Sequence, residues 1–234
     1  MKMYYKDVTV IAPTLNEEDN IGTFLHEICK LYRGIHVIIT DDGSVDKTQE
    51  IVRRIAAKSK RLLLLDRSQK EEKGLTAAVI DAVMKVETKY IVVMDADTQH
   101  PIQKVKEIVE ALRAGNIIVV ACREKVLSDW ALWRRITSKG ATFLGDAVLM
   151  LNRMSCKDVM SGFFGIKTDV FKERILLGKK RFVGKGYKVL FDLLKQLPYG
   201  TPVKEVFYVF GARGKGHSKM GLKHFLYFLQ SLLT

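Results

Sequence analysis

Asp95, Asp97 and Gln99 stand two residues apart, directly after the apolar run Ile91–Met94 and just before Pro101. Four apolar residues in a row read as a buried strand, and side chains at i, i+2 and i+4 of an extended segment project to one side. The three side chains can then bring oxygens to one point. Hard oxygen donors of that kind suit Mg2+ or Mn2+, ions that in enzymes commonly bridge to a substrate diphosphate. Asp-x-Asp alone is also what a solvated turn contains, so the surrounding elements have to decide between the two readings.

Those elements alternate. Val8–Ala12, His36–Thr40, Leu62–Leu65, Ile91–Met94, Ile117–Ala121 and Val203–Phe210 read as strands. Helical stripes lie between most of them. They run through Ile21–Leu31, Ile51–Ala56, Leu75–Val83 and Ile102–Leu112, with a later one over Tyr187–Leu197. This order predicts an α/β fold with a mostly parallel sheet and helices on both faces. Open sheets of that type bind ligands beyond the carboxyl ends of their strands. Pro13–Glu17, Asp41–Asp46, Asp66, Asp95–Gln99 and Arg123, the last expected just past its strand, all fall at such ends. That convergence says more than any one motif.

Lys and Arg number 39 against 26 Asp and Glu, a net charge of +13, and 47% of the chain is hydrophobic. The apolar share supports a sizeable core and excludes a disordered class. The charge favours polyanionic partners such as phosphate groups, an anionic membrane surface or nucleic acid. Cys29, Cys122 and Cys156 include no Cys-x-x-Cys pair, which argues against a zinc site or disulfide framework. Cys29 and Cys122 are expected as buried thiols in a reducing compartment. Met1–Asp7 carries charge and runs straight into a strand, with no signal-peptide pattern. No apolar run reaches the length of a membrane span, so contact with a bilayer is expected from the surface. The division expected is a catalytic domain over residues 1–216 and a C-terminal apolar or amphipathic helix over residues 217–234. Within the domain, Trp130–Arg153 threads Trp, Leu and Phe with Arg134, Arg135, Lys139 and Arg153. That pattern fits an interfacial helix at about 126–153, or an ordinary helix packed on the sheet.

Taken together the motifs resemble inverting glycosyltransferases of the GT-A (Rossmann-like) type in family 2. Pro13-x-x-Asn16-Glu17, Asp41-Asp42-Gly43-Ser44-x-Asp46-x-Thr48, Lys73-Gly74 and Asp95-Ala96-Asp97 match that group in order and spacing. A narrower resemblance is carried by Asp97-x-Gln99-His100-Pro101, Arg123, Arg134-Arg135-x-x-Ser138, Ser161-Gly162-Phe163, Gly186-Tyr187-Lys188 and Phe210-x-x-Arg213-x-x-x-His217-Ser218-Lys219. These look like dolichol-phosphate mannose synthases and related polyprenyl-phosphate glycosyltransferases, over about Val8 to Lys219. Related enzymes often carry transmembrane helices after the catalytic domain, whereas this sequence ends at Thr234.

The resemblance implies GDP-mannose as donor, dolichyl or polyprenyl phosphate as acceptor, Mg2+ or Mn2+ as cofactor, and work at the cytoplasmic face of a membrane. It places Pro13, Leu15, Glu17 and Asp42 around the nucleoside, with Asp95 and Lys219 on the nucleotide sugar. Asp95, Asp97 and Gln99 are the expected metal ligands. The expected catalytic set is Asp97, Arg123 and Arg213. No Ser-His-Asp or Cys-His arrangement is evident. A phosphate monoester needs no general base near neutral pH, since its second pKa is about 6. What it needs is positioning, for which Arg123, Arg135, Ser138 and Arg213 are candidates, Arg offering a planar fork to phosphate oxygens. Arg213 and Lys219 lie in a Gly-rich loop that reads as a lid. His100 is expected in a supporting role, and His217 near phosphate. Glucose or another sugar from a UDP donor is the alternative within this chemistry. Outside it stands a basic nucleic-acid-binding α/β module, which the lack of any nucleic-acid motif disfavours.

Overall fold

The computed structural model describes residues 4–126, 144–178, 181–184, 188–211 and 231. A seven-stranded sheet in the order β3-β2-β1-β4-β6-β5-β7 divides it into two faces. The strands are β1 (Val8–Thr14), β2 (His36–Asp41), β3 (Leu62–Asp66), β4 (Tyr90–Val93), β5 (Ile118–Val126), β6 (Phe164–Lys167) and β7 (Val203–Phe210). β1 pairs in parallel with both β2 and β4, and β2 with β3. β6 enters antiparallel between β4 and β5, and β5 pairs in parallel with β7. The sheet is therefore mostly parallel, as expected.

The helices are α1 (Glu18–Leu31), α2 (Thr48–Ala56), α3 (Leu75–Val83) and α4 (Lys104–Arg113), then helical residues 144–151 (α5), α6 (Thr168–Gly178) and α7 (Val189–Gln196). In α1 the residues Ile21, Phe24, Leu25 and Ile28 recur at helical spacing and are all buried, while Glu18 and Asp19 in the first turn and Lys30 in the last suit the helix dipole. One core packs α1, α2 and α4 on one face of the sheet, around Phe24, Ile28, Val92, Ile108 and Phe163. The other packs α3, α6 and α7 on the opposite face, around Val79, Ile91, Phe164, Phe171 and Phe191. Burying each such side chain contributes about 1.5–3 kcal/mol.

Four local expectations change. Arg123 lies inside β5 rather than past its end, because the ladder with β7 continues through Arg123↔Tyr208 and resumes after a bulge at Lys125↔Val209. Residues 94–99 do not extend β4. The strand stops at Val93 and the chain bends, with Thr98 at φ +65°, so the alternation argument for Asp95, Asp97 and Gln99 does not hold. Cys29 is exposed, since its place on α1 falls outside the buried stripe, whereas Cys122 and Cys156 are buried. Helix α6 has no counterpart among the sequence expectations; its apolar pattern is irregular, with Leu176 and Leu177 exposed.

α4 crosses β6 at close range. A Cβ on Gly165 would lie 2.4 Å from Ile108 Cγ2 and 3.0 Å from Leu112 Cδ1. Gly165→Ala is therefore expected to destabilise the domain by about 1–3 kcal/mol, read as a lowered urea midpoint with an unchanged m-value.

Candidate active site

Thr14, Asp41 and Asp66 stand side by side in register at the carboxyl ends of β1, β2 and β3. The loops leaving these strands are bound to one another. Asn16 N–H donates to Ser44 Oγ (2.8 Å) and Val45 N–H returns a bond to Asn16 Oδ1 (2.9 Å). Glu17 N–H donates to Thr48 Oγ1 (2.8 Å), and Glu18 N–H to Asp46 Oδ2 (3.1 Å). Asn16 takes a left-handed backbone with φ +51° to make this turn. Pro13, Leu15 and Glu17 thus sit on a latched loop. Leu15 is exposed, and the Glu17 carboxylate accepts from Asn20 Nδ2 (2.8 Å).

The paired aspartates after β2 divide their work. Asp41 is fully buried and accepts bonds from Thr14 Oγ1, Gly43 N–H, Ser44 N–H and Gln49 Nε2, so it shapes the turn. Asp42 bridges this turn to the start of α3. It accepts from Gly74 N–H (2.7 Å) and pairs with Arg67. Gly74 holds φ +135° there, a backbone that an L side chain adopts only with strain. Arg67 is the residue that sequence reasoning missed. Its guanidinium is 2% exposed and spans Asp42, Asp81 Oδ2 (2.9 Å) and the Glu72 carbonyl (2.8 Å). The available signal was a cation directly after β3, facing an acidic turn. Beside it the Ser68 hydrogen bonds hold the Asp66 carboxyl below the usual range.

The loop from β4 to α4 carries Asp95, Asp97 and Gln99. Asp97 is 5% exposed, and its Oδ1 accepts the Gln99 N–H (3.1 Å). Asp95 is partly exposed. Its Oδ2 meets His100 Nε2 at 3.1 Å, and it packs on Gly162, where a Cβ would lie 3.3 Å from Oδ2. The Ser161-Gly162-Phe163 turn thereby forms one wall of the acidic loop. Gln99 Nε2 donates to the Gly211 carbonyl (3.1 Å), and Gly211 N–H returns a bond to the Gln99 carbonyl (3.1 Å).

Arg123 does not present an open fork. Its Nε and NH2 reach Asp158 Oδ2 and Oδ1, each at 2.7 Å, and its backbone N–H also donates to Asp158. Burial alone would lower its pKa; the Asp158 hydrogen bonds and the charges of Asp158 and Asp95 carry it above the ordinary guanidinium value. Tyr208 is buried beside it, and burial pushes its phenol upward. The structure thus brings Pro13, Leu15, Glu17, Asp42, Asp95, Asp97, Gln99 and Arg123 to one edge of the sheet. Arg135, Ser138, Arg213 and Lys219, with His217, lie outside the described residues.

Two other features lie elsewhere. Among the described residues, Cys122, Cys156 and Glu205 have ligand atoms within 4.8 Å of one another. Glu205 already accepts the Lys157 N–H (2.7 Å), and the hydrogen bond between Cys122 and Cys156 together with burial raises the Cys122 pKa, which marks Cys122 as a packed thiol. A cavity of about 730 Å³ between Lys89, Arg113, Lys167 and Lys172 opens at the amino edge of the sheet, opposite the acidic loops.

The architecture and the acidic strand ends define a GT-A type glycosyltransferase fold. Glucosyl-3-phosphoglycerate synthase from Mycobacterium tuberculosis, solved with Mn2+, UDP-glucose and glycerol 3-phosphate, superposes with a TM-score of 0.67 at 19% identity, over 97% of this chain and 78% of that one. The sequence match is narrower: residues 9–174 match glycosyl transferase family 2, and the chain belongs to that family. Among curated relatives, the dolichol-phosphate mannosyltransferase of Pyrococcus furiosus is 31% identical over 96% of this chain. Those of Mycosarcoma maydis and Saccharomyces cerevisiae are 30% and 27% identical over 96% and 97%. The chain spans 62%, 77% and 85% of the lengths of these three. Among the described residues no helix is long and apolar enough to cross a membrane.

Arg67→Met keeps much of the volume but leaves Asp42 and Asp81 without their shared cation. It is expected to lower unfolding stability by about 3 kcal/mol, read as a lowered urea midpoint.

Proposed function

We propose that this chain transfers mannose from GDP-mannose to dolichyl or another polyprenyl phosphate, giving a β-linked lipid-phosphate sugar. One observation carries the reading. The hard-oxygen loop Asp95–Gln99 lies at the same sheet edge as the latched Pro13–Glu17 and Asp42–Gly74 cradle, in a chain of the same family as the named mannosyltransferases.

The donor atoms of the acidic loop fit a hard divalent ion. They are two carboxylates and an amide whose NH2 is turned to Gly211, with no thiol in the loop and both His100 nitrogens already engaged. Asp95, Asp97 and Gln99 Oε1 would hold Mg2+ or Mn2+. Bound there, such an ion neutralises charge that develops on a departing nucleoside diphosphate. The chain's own groups account for the rest. Leu15 offers an apolar surface to a base, Asp42 accepts hydrogen bonds from it, and Glu17 from the ribose.

The acceptor phosphate is ionised near neutral pH. One of its oxygens forms the new bond to the anomeric carbon while the bond to the diphosphate oxygen breaks, its electron pair leaving with GDP. No proton has to be removed, which accounts for a site without an evident base. Displacement from the opposite face inverts the α-linked donor. Arg135, Ser138, Arg213 and Lys219 are assigned to the two phosphates by the sequence resemblance. Arg123, gripped by Asp158, contributes a fixed positive charge near Asp95 rather than a free fork. Membrane contact is supported by α5, which buries Leu149 but exposes Leu144, Met150 and Leu151, and by the exposed Tyr199, whose ring Arg153 covers; the cytoplasmic face is assigned by the sequence resemblance.

The test is direct. The protein is incubated with dolichyl phosphate, Mn2+ or Mg2+, and labelled GDP-mannose or UDP-glucose. Mannosyl transfer from GDP-mannose is expected, reduced at least 1000-fold in Asp97→Ala. Product from UDP-glucose alone would correct the donor. Transfer from neither, or full activity in Asp97→Ala, would overturn the mechanism.

A further inference from the structure

We propose that Tyr208 is a positioning residue for Asp95, acting through His100, so that strand β7 sets the geometry of the acidic loop. The inference rests on the reading of Asp95–Gln99 as a divalent-ion site. His100 is 3% exposed and sits among the rings of Phe163, Phe210 and Tyr208, with centroids at 5.1, 5.4 and 5.7 Å. Its two nitrogens are both taken: Nδ1 lies 2.8 Å from Tyr208 Oη, and Nε2 lies 3.1 Å from Asp95 Oδ2. Only one arrangement of a neutral imidazole satisfies both contacts. The phenol donates to Nδ1, which leaves the hydrogen on Nε2 to donate to the carboxylate. The other tautomer would set a nitrogen lone pair against a carboxylate oxygen. Tyr208 therefore selects the tautomer, and the tautomer holds Oδ2 of Asp95 toward His100 and leaves Oδ1 as the oxygen for a ligand.

A second, independent contact from the same strand end supports the assignment. Gly211, directly after β7, exchanges two hydrogen bonds of 3.1 Å with Gln99. β7 thus fixes the first donor of the loop through Tyr208 and His100, and the last through Gly211. It does so across sequence separations of 108 and 112 residues.

The experiment measures Mn2+ affinity of the intact chain in the presence of GDP, from the EPR signal of free Mn2+, with thermal unfolding as a control for folding. Tyr208→Phe keeps the ring and removes the donor. It is expected to weaken Mn2+ binding roughly 10–100-fold, the usual cost of losing a group that orients a metal ligand. His100→Gln places an amide N–H near the position of Nε2 and no longer needs the phenol. In that background Tyr208→Phe is expected to change the affinity less than about twofold, a coupling that a merely structural tyrosine would not show. His100→Ala, which cuts the link from the other side, is expected to weaken binding at least as much as Tyr208→Phe. Affinity within twofold of the unsubstituted protein in either Tyr208→Phe or His100→Ala overturns the proposal. So does an equal loss from Tyr208→Phe in both backgrounds. An unsubstituted protein that binds no Mn2+ with GDP overturns the ion site itself, and the relay with it.

Discussion

The parallel ladder that seats β1 between β2 and β4 is the constraint on which the site depends. Its register sets Thr14, Asp41 and Asp66 in a row and ends β4 two residues before Asp95. Every loop with candidate chemistry then leaves the sheet on the same side. Strand interiors of Val, Ile and Leu keep this ladder dry on both faces, so the backbone bonds that fix the register are shielded from water. Polar side chains are left for the edge.

An acidic edge needs counter-charge, and the fold supplies it from within. Arg67 serves Asp42 and Asp81 on one side of the site. Arg123 serves Asp158 on the other, beside the acidic loop. Both guanidiniums are largely withdrawn from solvent, where removing one partner costs much more than at the surface. Asp41 and Asp46, in contrast, are satisfied mainly by N–H and hydroxyl donors of their own turn. Asp42 is therefore held by long-range contacts, and the carboxylates that only shape the turn mainly by local ones.

Much of this was legible from residue order. The alternation of strands and helices gave the parallel sheet, and the acidic turns at strand ends gave the edge where the site lies. Less legible were the features made by tertiary contact. Which of Asp41 and Asp42 turns inward depends on the Gly74 N–H and on Arg67, which are 32 and 25 residues away from Asp42. The role of His100 depends on Tyr208, more than 100 residues later. Arg123 read as a strand-end cation because its strand's apolar run ends at Cys122, yet pairing with β7 carries the strand onward past it. Helix α6 was missed because its exposed leucines obscure the helical period.

The central claim, a divalent ion and a nucleoside diphosphate held together at the carboxyl edge, is tested most directly by anomalous diffraction at the manganese edge from crystals grown with Mn2+ and GDP. The account predicts one strong peak within bonding distance of carboxylate oxygens of Asp95 and Asp97 and of a GDP phosphate oxygen. GDP bound with no peak there, or a sole peak at Cys122, Cys156 and Glu205, would contradict it.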